Sequence, residues 1–196
     1  MSRIRRTAAR LARRLSRRDE FVSAAVSGRY GQVDLAEGRF LGRLVAGLTG
    51  PGPIVEVGTL FGWSTRVMAL FKDPARELIT VDAYVWNPFG LDPDAHHRAA
   101  AAALDDAVRD FNVRQVRADK DRFFADYPGP PPALVFLDAD HTFEATAADI
   151  AWARRAGAGV VALHDYAPHS PGVVRAVDEA GGPAEVVGTV AVLRRA

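Results

Sequence analysis

The 196-residue sequence contains no cysteine, and that absence excludes disulfides, thiolate metal sites and cysteine nucleophiles together. A reducing cytoplasm is the expected location. Lysine is nearly missing too: of 25 basic residues only Lys72 and Lys120 are lysine. The preference for arginine, with abundant Ala, Gly and Pro, points to a GC-rich bacterial coding sequence. No run of eighteen apolar residues occurs, so no membrane-spanning helix is expected. The N-terminus lacks the apolar core of a secretory signal. No G-K-[ST] is present, which excludes a P-loop. What remains is the composition of a folded chain, 48% hydrophobic and 25% charged, with length for one ordinary domain.

The net charge of +1 conceals an asymmetry. Eight arginines and no acid fall within residues 1–18, so the rest of the chain carries a net charge of −7. Ile4, Ala8, Leu11 and Leu15 recur at helical spacing, so residues 1–33 read as a basic helical arm ahead of a domain over 34–196. The arm is expected to pack its apolar stripe on the domain or on a second copy, forming a homodimer, while its arginines stay solvated. No nucleic-acid partner is expected, because the acidic body lacks a basic stripe with interleaved aromatics.

After a helix near Asp34–Leu48, ended by Gly50-Pro51-Gly52-Pro53, strands and helices alternate. Apolar runs at Ile54–Val57, Leu78–Val81, Val113–Val116, Ala133–Leu137 and Gly159–Leu163 read as strands. Between them lie helices over Gly62–Phe71, Ala95–Phe111, Asp121–Tyr127 and Phe143–Ala156. A helix over Gly172–Ala180 and a hairpin, Ala184–Val187 and Val190–Leu193, close the chain. Continuously apolar strands separated by helices imply a doubly wound α/β sheet, mostly parallel, with a C-terminal antiparallel hairpin. Ligands of such sheets bind beyond the carboxyl ends of the strands.

Those ends carry Glu56-Val57-Gly58, Asp82, Ala118-Asp119, Asp138-Ala139-Asp140-His141 and His164-Asp165-Tyr166. Capping accounts for one or two of these or neighbouring polar residues, with Asp121 and Thr142 the expected caps, but not for polar groups at every strand end. The turn Glu56–Ser64 has Gly58 and Gly62 with three residues between them, not the G-x-G-x-x-G that a dinucleotide pyrophosphate needs. Glu56 would repel a pyrophosphate and suits an ammonium group. Asp82, 24 residues after Gly58, is placed to accept from both hydroxyls of a ribose.

Glu56-Val57-Gly58-Thr59-Leu60-Phe61-Gly62-Trp63-Ser64 resembles the first motif of class I S-adenosylmethionine-dependent methyltransferases, in particular the small-molecule O-methyltransferases of the catechol and caffeoyl-CoA type. Val135–His141 and Ala162–Tyr166 are similar to motifs of a bacterial natural-product tailoring branch. The resemblance implies a Rossmann-like fold and O-methylation of a small-molecule hydroxyl. It also implies that Glu56, Gly58, Gly62 and Ser64 hold the methionine end of the cofactor, Asp82 the ribose, and Ala118 and Asp119 the adenine. Asp138 borders the cofactor, and with Asp165 falls where metal-dependent members bind a divalent cation such as Mg²⁺. The third protein ligand is either His164 or missing.

His141 and His164, at strand ends, are the candidate general bases. His96 and His97, at a helix start, read as exposed, and His169 lies on a loop over the site. Tyr84–Asp94, with Trp86 and Phe89, reads as a lid over the acceptor. Two other readings stay open: a nicotinamide oxidoreductase, and a cofactor-binding subunit that is non-catalytic or depends on a partner.

Overall fold

The computed structural model describes residues 33–193. The arginine-rich arm, and with it the expected N-terminal helix and dimer contacts, lies outside the described residues. Helix α1 (Leu35–Ala46) opens on a capping box in which Asp34 accepts from the Glu37 N–H and Glu37 accepts from the Asp34 N–H, both at 2.8 Å. The order then runs β1 (Ile54–Val57), α2 (Trp63–Phe71), β2 (Leu78–Asp82), α3 (Pro93–Asp110), β3 (Val113–Arg117), α4 (Lys120–Asp126), β4 (Leu134–Leu137), α5 (Phe143–Arg155), β5 (Val161–Leu163), α6 (Pro171–Glu179), β6 (Pro183–Val187) and β7 (Val190–Leu193).

The seven strands form one sheet in the order β3-β2-β1-β4-β5-β7-β6. Strands β1 to β5 pair in parallel, and β7 pairs antiparallel with both β5 and β6. The apolar strands are explained by parity. Ile54, Leu78, Leu134, Phe136 and Ala162 pack towards α1, α2 and α3, whereas Val55, Val57, Ile79, Val81, Val135, Leu137 and Leu163 pack towards α4, α5 and α6. Every expected strand and helix in this region is present, with ends shifted by up to about two residues. Helix α3 starts early because proline fits its first turn and Asp92 caps it through the N–H groups of Asp94 and Ala95. Thr142 caps α5 as expected. The cap of α4 is Asp119, not Asp121. No described helix is long and apolar enough to cross a membrane.

The chain leaves β1 for β2 on one side and reaches β4 on the other, so the order in which strands are added reverses between β1 and β4. The crevice that this reversal opens beyond the strand ends is where the polar residues collect.

Candidate active site

A cleft of about 740 Å³ opens there, lined among others by Gly58, Ser64, Asp82, Asp119, Asp138 and Asp165. Its floor is the turn after β1. Gly58 has φ +98°, and a Cβ on it would run into the Asp138 carbonyl, so only glycine lets β1 and β4 lie this close at the turn. Gly62, at φ +82°, starts α2 and lies against Leu104 of α3. It lies outside the residues that line the cleft.

Glu56, expected to meet an ammonium group, does not line the cleft either. Its parity on β1 points it into the α2 layer, where it is fully buried and accepts from the hydroxyls of Ser64 and Thr65. Burial pushes its carboxyl up to about 7, although those hydroxyls pull the other way. Ser64 stands between Glu56 and the cleft and is the group that the cleft sees.

Asp82 is already engaged. Its Oδ2 accepts from the N–H groups of Thr59 (2.9 Å) and Leu60 (2.8 Å), and its Oδ1 from Tyr84 N–H (2.7 Å). A carboxylate offers about four acceptor positions, so about one remains, on Oδ1. The doubly accepting ribose contact expected of Asp82 therefore needs one of these N–H groups to yield. Asp119 spends its Oδ1 on the N–H groups of Asp121 and Arg122, yet it and Ala118 both line the cleft. Lys120 also lines it and pairs with buried Asp149 at 2.7 Å; sequence patterning gave no sign of this pair.

The opposite wall is a cluster of charges at the ends of β4 and β5. His141 Nε2 lies 3.1 Å from Asp165 Oδ2 and 4.0 Å from Asp138 Oδ1, and the two carboxylates hold its ring protonated, with a pKa of about 9. Asp165 takes φ +59°, in the left-handed region that aspartate tolerates better than most residues. The imidazoles His141 and His164 depress its carboxyl well below the ordinary range. Burial opposes charge on Asp138, and the same two histidines outweigh it, so its pKa is also lowered. His169 reaches Asp165 Oδ1 at 3.2 Å from the loop before α6.

His164 is placed differently from the expectation. It follows the parity of Ala162, so its ring turns beneath the carboxylates towards α1 and is 2% exposed. Its Nδ1 lies 3.4 Å from both Asp138 and Asp165, at ion-pair range without hydrogen-bond geometry, and its Nε2 lies 3.4 Å from Glu37. Burial disfavours its charge, but these three acids reverse the balance and lift its pKa to about 12. With its ring turned under the site, His164 does not line the cleft. His141, half-exposed, lines the cleft beside both carboxylates instead. Glu37, which no motif marked, also accepts from Thr189 N–H and Oγ1 (2.6 and 2.8 Å); its carboxyl is pulled down to about 2, because His164 and these donors outweigh its burial.

This charge cluster predicts how stability follows pH. Both histidines gain protons on folding, so their contribution is complete below pH 6.5 and is lost as pH rises through about 9 and about 12. Glu56, raised to about 7, acts in the same direction. Glu37 contributes above pH 4.5 and loses its share as pH falls to about 2. Urea denaturation is expected to give a lower stability at pH 9 than at pH 6. A stability that rises over that interval would contradict these protonation states.

Over the cleft hangs the loop between β2 and α3. Val85, Trp86, Phe89 and Leu91 are 75%, 61%, 58% and 37% exposed, and they are four of the six large hydrophobic residues exposed among those described. Tyr84 is not part of this lid: it is fully buried, and its hydroxyl accepts from Gln115. His96 is fully buried as well, contrary to the exposed position expected, and contacts the carbonyls of Leu60 and Tyr84.

A family model described as a methyltransferase domain matches residues 55–166, from β1 to the end of the charge cluster. No curated protein matches the sequence. Three solved structures of similar fold illustrate the likeness. The O-methyltransferase from Bacillus cereus in complex with SAH is 19% identical over 90% of each chain, with a TM-score of 0.63. Cofactor-bound Rv0187 from MTB is 23% identical over 94% of this chain and 89% of its own, with a TM-score of 0.63. TomG from Streptomyces achromogenes, an O-methyltransferase involved in tomaymycin synthesis and solved with SAM, is 21% identical over 89% and 85%, with a TM-score of 0.60. At these identities the solved structures establish the fold, and the family match, spanning more than half of the sequence, establishes descent: the chain belongs to the methyltransferase-domain family.

Proposed function

We propose that the chain transfers the methyl group of S-adenosylmethionine to a hydroxyl oxygen of a small-molecule acceptor, working in the cytoplasm. The observation that carries this reading is the arrangement of the cleft. The glycine turn with Ser64, Asp82 and Asp119 forms one wall, and Asp138, His141 and Asp165 form the facing one. In this reading the first wall holds the cofactor and the second receives the acceptor. The new C–O bond forms as the C–S bond breaks, in line, so the walls act mainly by alignment. The hydroxyl proton must leave as well.

The residues present fit a divalent cation. Two carboxylates and an imidazole, Asp138, Asp165 and His141, bring ligand atoms within 4.8 Å of one another, a donor set open to a hard ion. Such an ion would supply Lewis acidity that lowers the pKa of the acceptor hydroxyl. His141 ligates only as the neutral ring, so it gives up its proton first. His164 stays beneath as a fixed positive charge that keeps the two carboxylates together. The aromatic lid supports an acceptor with an apolar ring lying against Trp86.

Nicotinamide chemistry has no support from the turn or from the family. A subunit that binds cofactor but depends on a partner predicts binding without turnover. The isolated chain, given isotope-labelled S-adenosylmethionine and a panel of phenols and sugars, is expected to methylate at least one of them with Mg²⁺ present. EDTA is expected to lower the rate at least tenfold and to leave binding of S-adenosylhomocysteine unchanged. Full activity in EDTA would remove the metal from the account, and binding without turnover would favour the partner-dependent reading.

A further inference from the structure

We infer that His96 is a positioning residue that locks the cofactor turn and the acceptor loop into one unit, so that the cofactor site and the lid are set together. The inference rests on the proposed reading of the cleft and goes beyond it.

Four non-glycine residues in the described chain have positive φ, and two of them are Leu60 (+48°), in the turn after β1, and Tyr84 (+60°), where the lid leaves β2. A non-glycine residue in this region is strained and persists only when its surroundings hold it. The carbonyls of these same two residues are the two groups that His96 reaches, Leu60 O from Nε2 at 3.0 Å and Tyr84 O from Nδ1 at 3.3 Å. Both partners only accept, so the neutral ring, with its single N–H, donates to one of them, Leu60 O being the nearer, and meets the other by close packing. The ring also lies 4.8 Å from Phe61 and 5.0 Å, edge-on, from Tyr84, and Phe61 in turn meets Phe89 of the lid at 5.6 Å. His96 is fully buried in the first turn of α3, whose start is fixed by Asp92, so the ring is anchored from a rigid element. Asp82 holds the N–H side of the same two segments through Thr59, Leu60 and Tyr84. The turn and the loop are thus clamped from both sides of the backbone, by a carboxylate that accepts and an imidazole that donates.

The test compares the full-length chain with His96→Phe, which keeps an aromatic ring and removes the ring N–H, and with His96→Gln, whose amide supplies N–H donors. In His96→Phe, affinity for S-adenosylhomocysteine is expected to fall at least tenfold. Chymotryptic cleavage at Trp86, Phe89 and Leu91 is expected to rise at least tenfold and no longer to slow when the ligand is added. His96→Gln is expected to lie within about threefold of the parent in both measurements. A folded His96→Phe with parental affinity and cleavage would overturn the inference, as would a His96→Gln as impaired as His96→Phe. If His96→Phe does not fold, hydrogen exchange in the parent protein decides. The amides of Leu60 and Tyr84 must then open with one free energy, and a loop that opens well below the turn would overturn the lock. Failure of the parent to bind S-adenosylhomocysteine would instead sink the cofactor reading; the cleavage comparison without ligand still tests the lock.

Discussion

Asp165→Asn and His141→Phe are each expected to lower turnover at least a hundredfold, while affinity for S-adenosylhomocysteine stays within about threefold. Both residues sit on the wall proposed to receive the acceptor, and Asp165 lies between His141 and His164, with ion-pair contacts of 3.1 and 3.4 Å. Replacing its charge by a neutral amide of the same shape weakens the cation-binding set and leaves His164 one acid short. His141→Phe removes the one cleft-facing imidazole within reach of both carboxylates. Steady-state rates on any accepted substrate, alongside calorimetric binding of the product cofactor, separate the two effects. Parental turnover in both variants would show the charge cluster to be structural. Asp138→Asn is expected to lose turnover as well and to weaken cofactor binding, because Asp138 lies directly across from Gly58.

The second large effect belongs to Asp82. Asp82→Ala is expected to weaken S-adenosylhomocysteine by about 30- to 150-fold, the equivalent of about 2–3 kcal/mol for a lost charge-assisted contact. Part of that loss comes through the protein itself. Without the carboxylate, the N–H groups of Thr59, Leu60 and Tyr84 lose their shared acceptor, and the turn is no longer held in its binding shape. Asp82→Asn, which retains an acceptor oxygen, is expected to fall between the two. An Asp82→Ala protein that is folded and binds as tightly as the parent would take this residue out of the cofactor site.

The sheet and its glycine turn could be read in advance because local sequence fixes them. Apolar runs separated by helical periodicity leave few arrangements, and Gly58 and Gly62 punctuate the first crossover. The acids at the strand ends could be located for the same reason. Their partners could not. In the sequence His164 has the neighbours of a cleft residue, and only the pleat, which gives it the parity of Ala162, turns it under the site. Its partner Glu37 stands 127 positions away on α1, beyond any local pattern. Asp119 shows a different confusion. A strand-end acid that precedes a helix is equally a ligand contact and a cap, and here the capping bonds are present in a residue that also lines the cleft. His96 carried no signal, since a histidine near a helix start is ordinarily solvated; the strained carbonyls that it meets exist only once the turn and the loop are folded against α3.

The claim on which the rest depends is that the cleft takes S-adenosylmethionine, and calorimetry of the full-length chain with S-adenosylhomocysteine, NAD and NADP tests it most directly. The account predicts that S-adenosylhomocysteine binds one per chain and that neither dinucleotide does. Binding of NAD or NADP in its place would contradict the account.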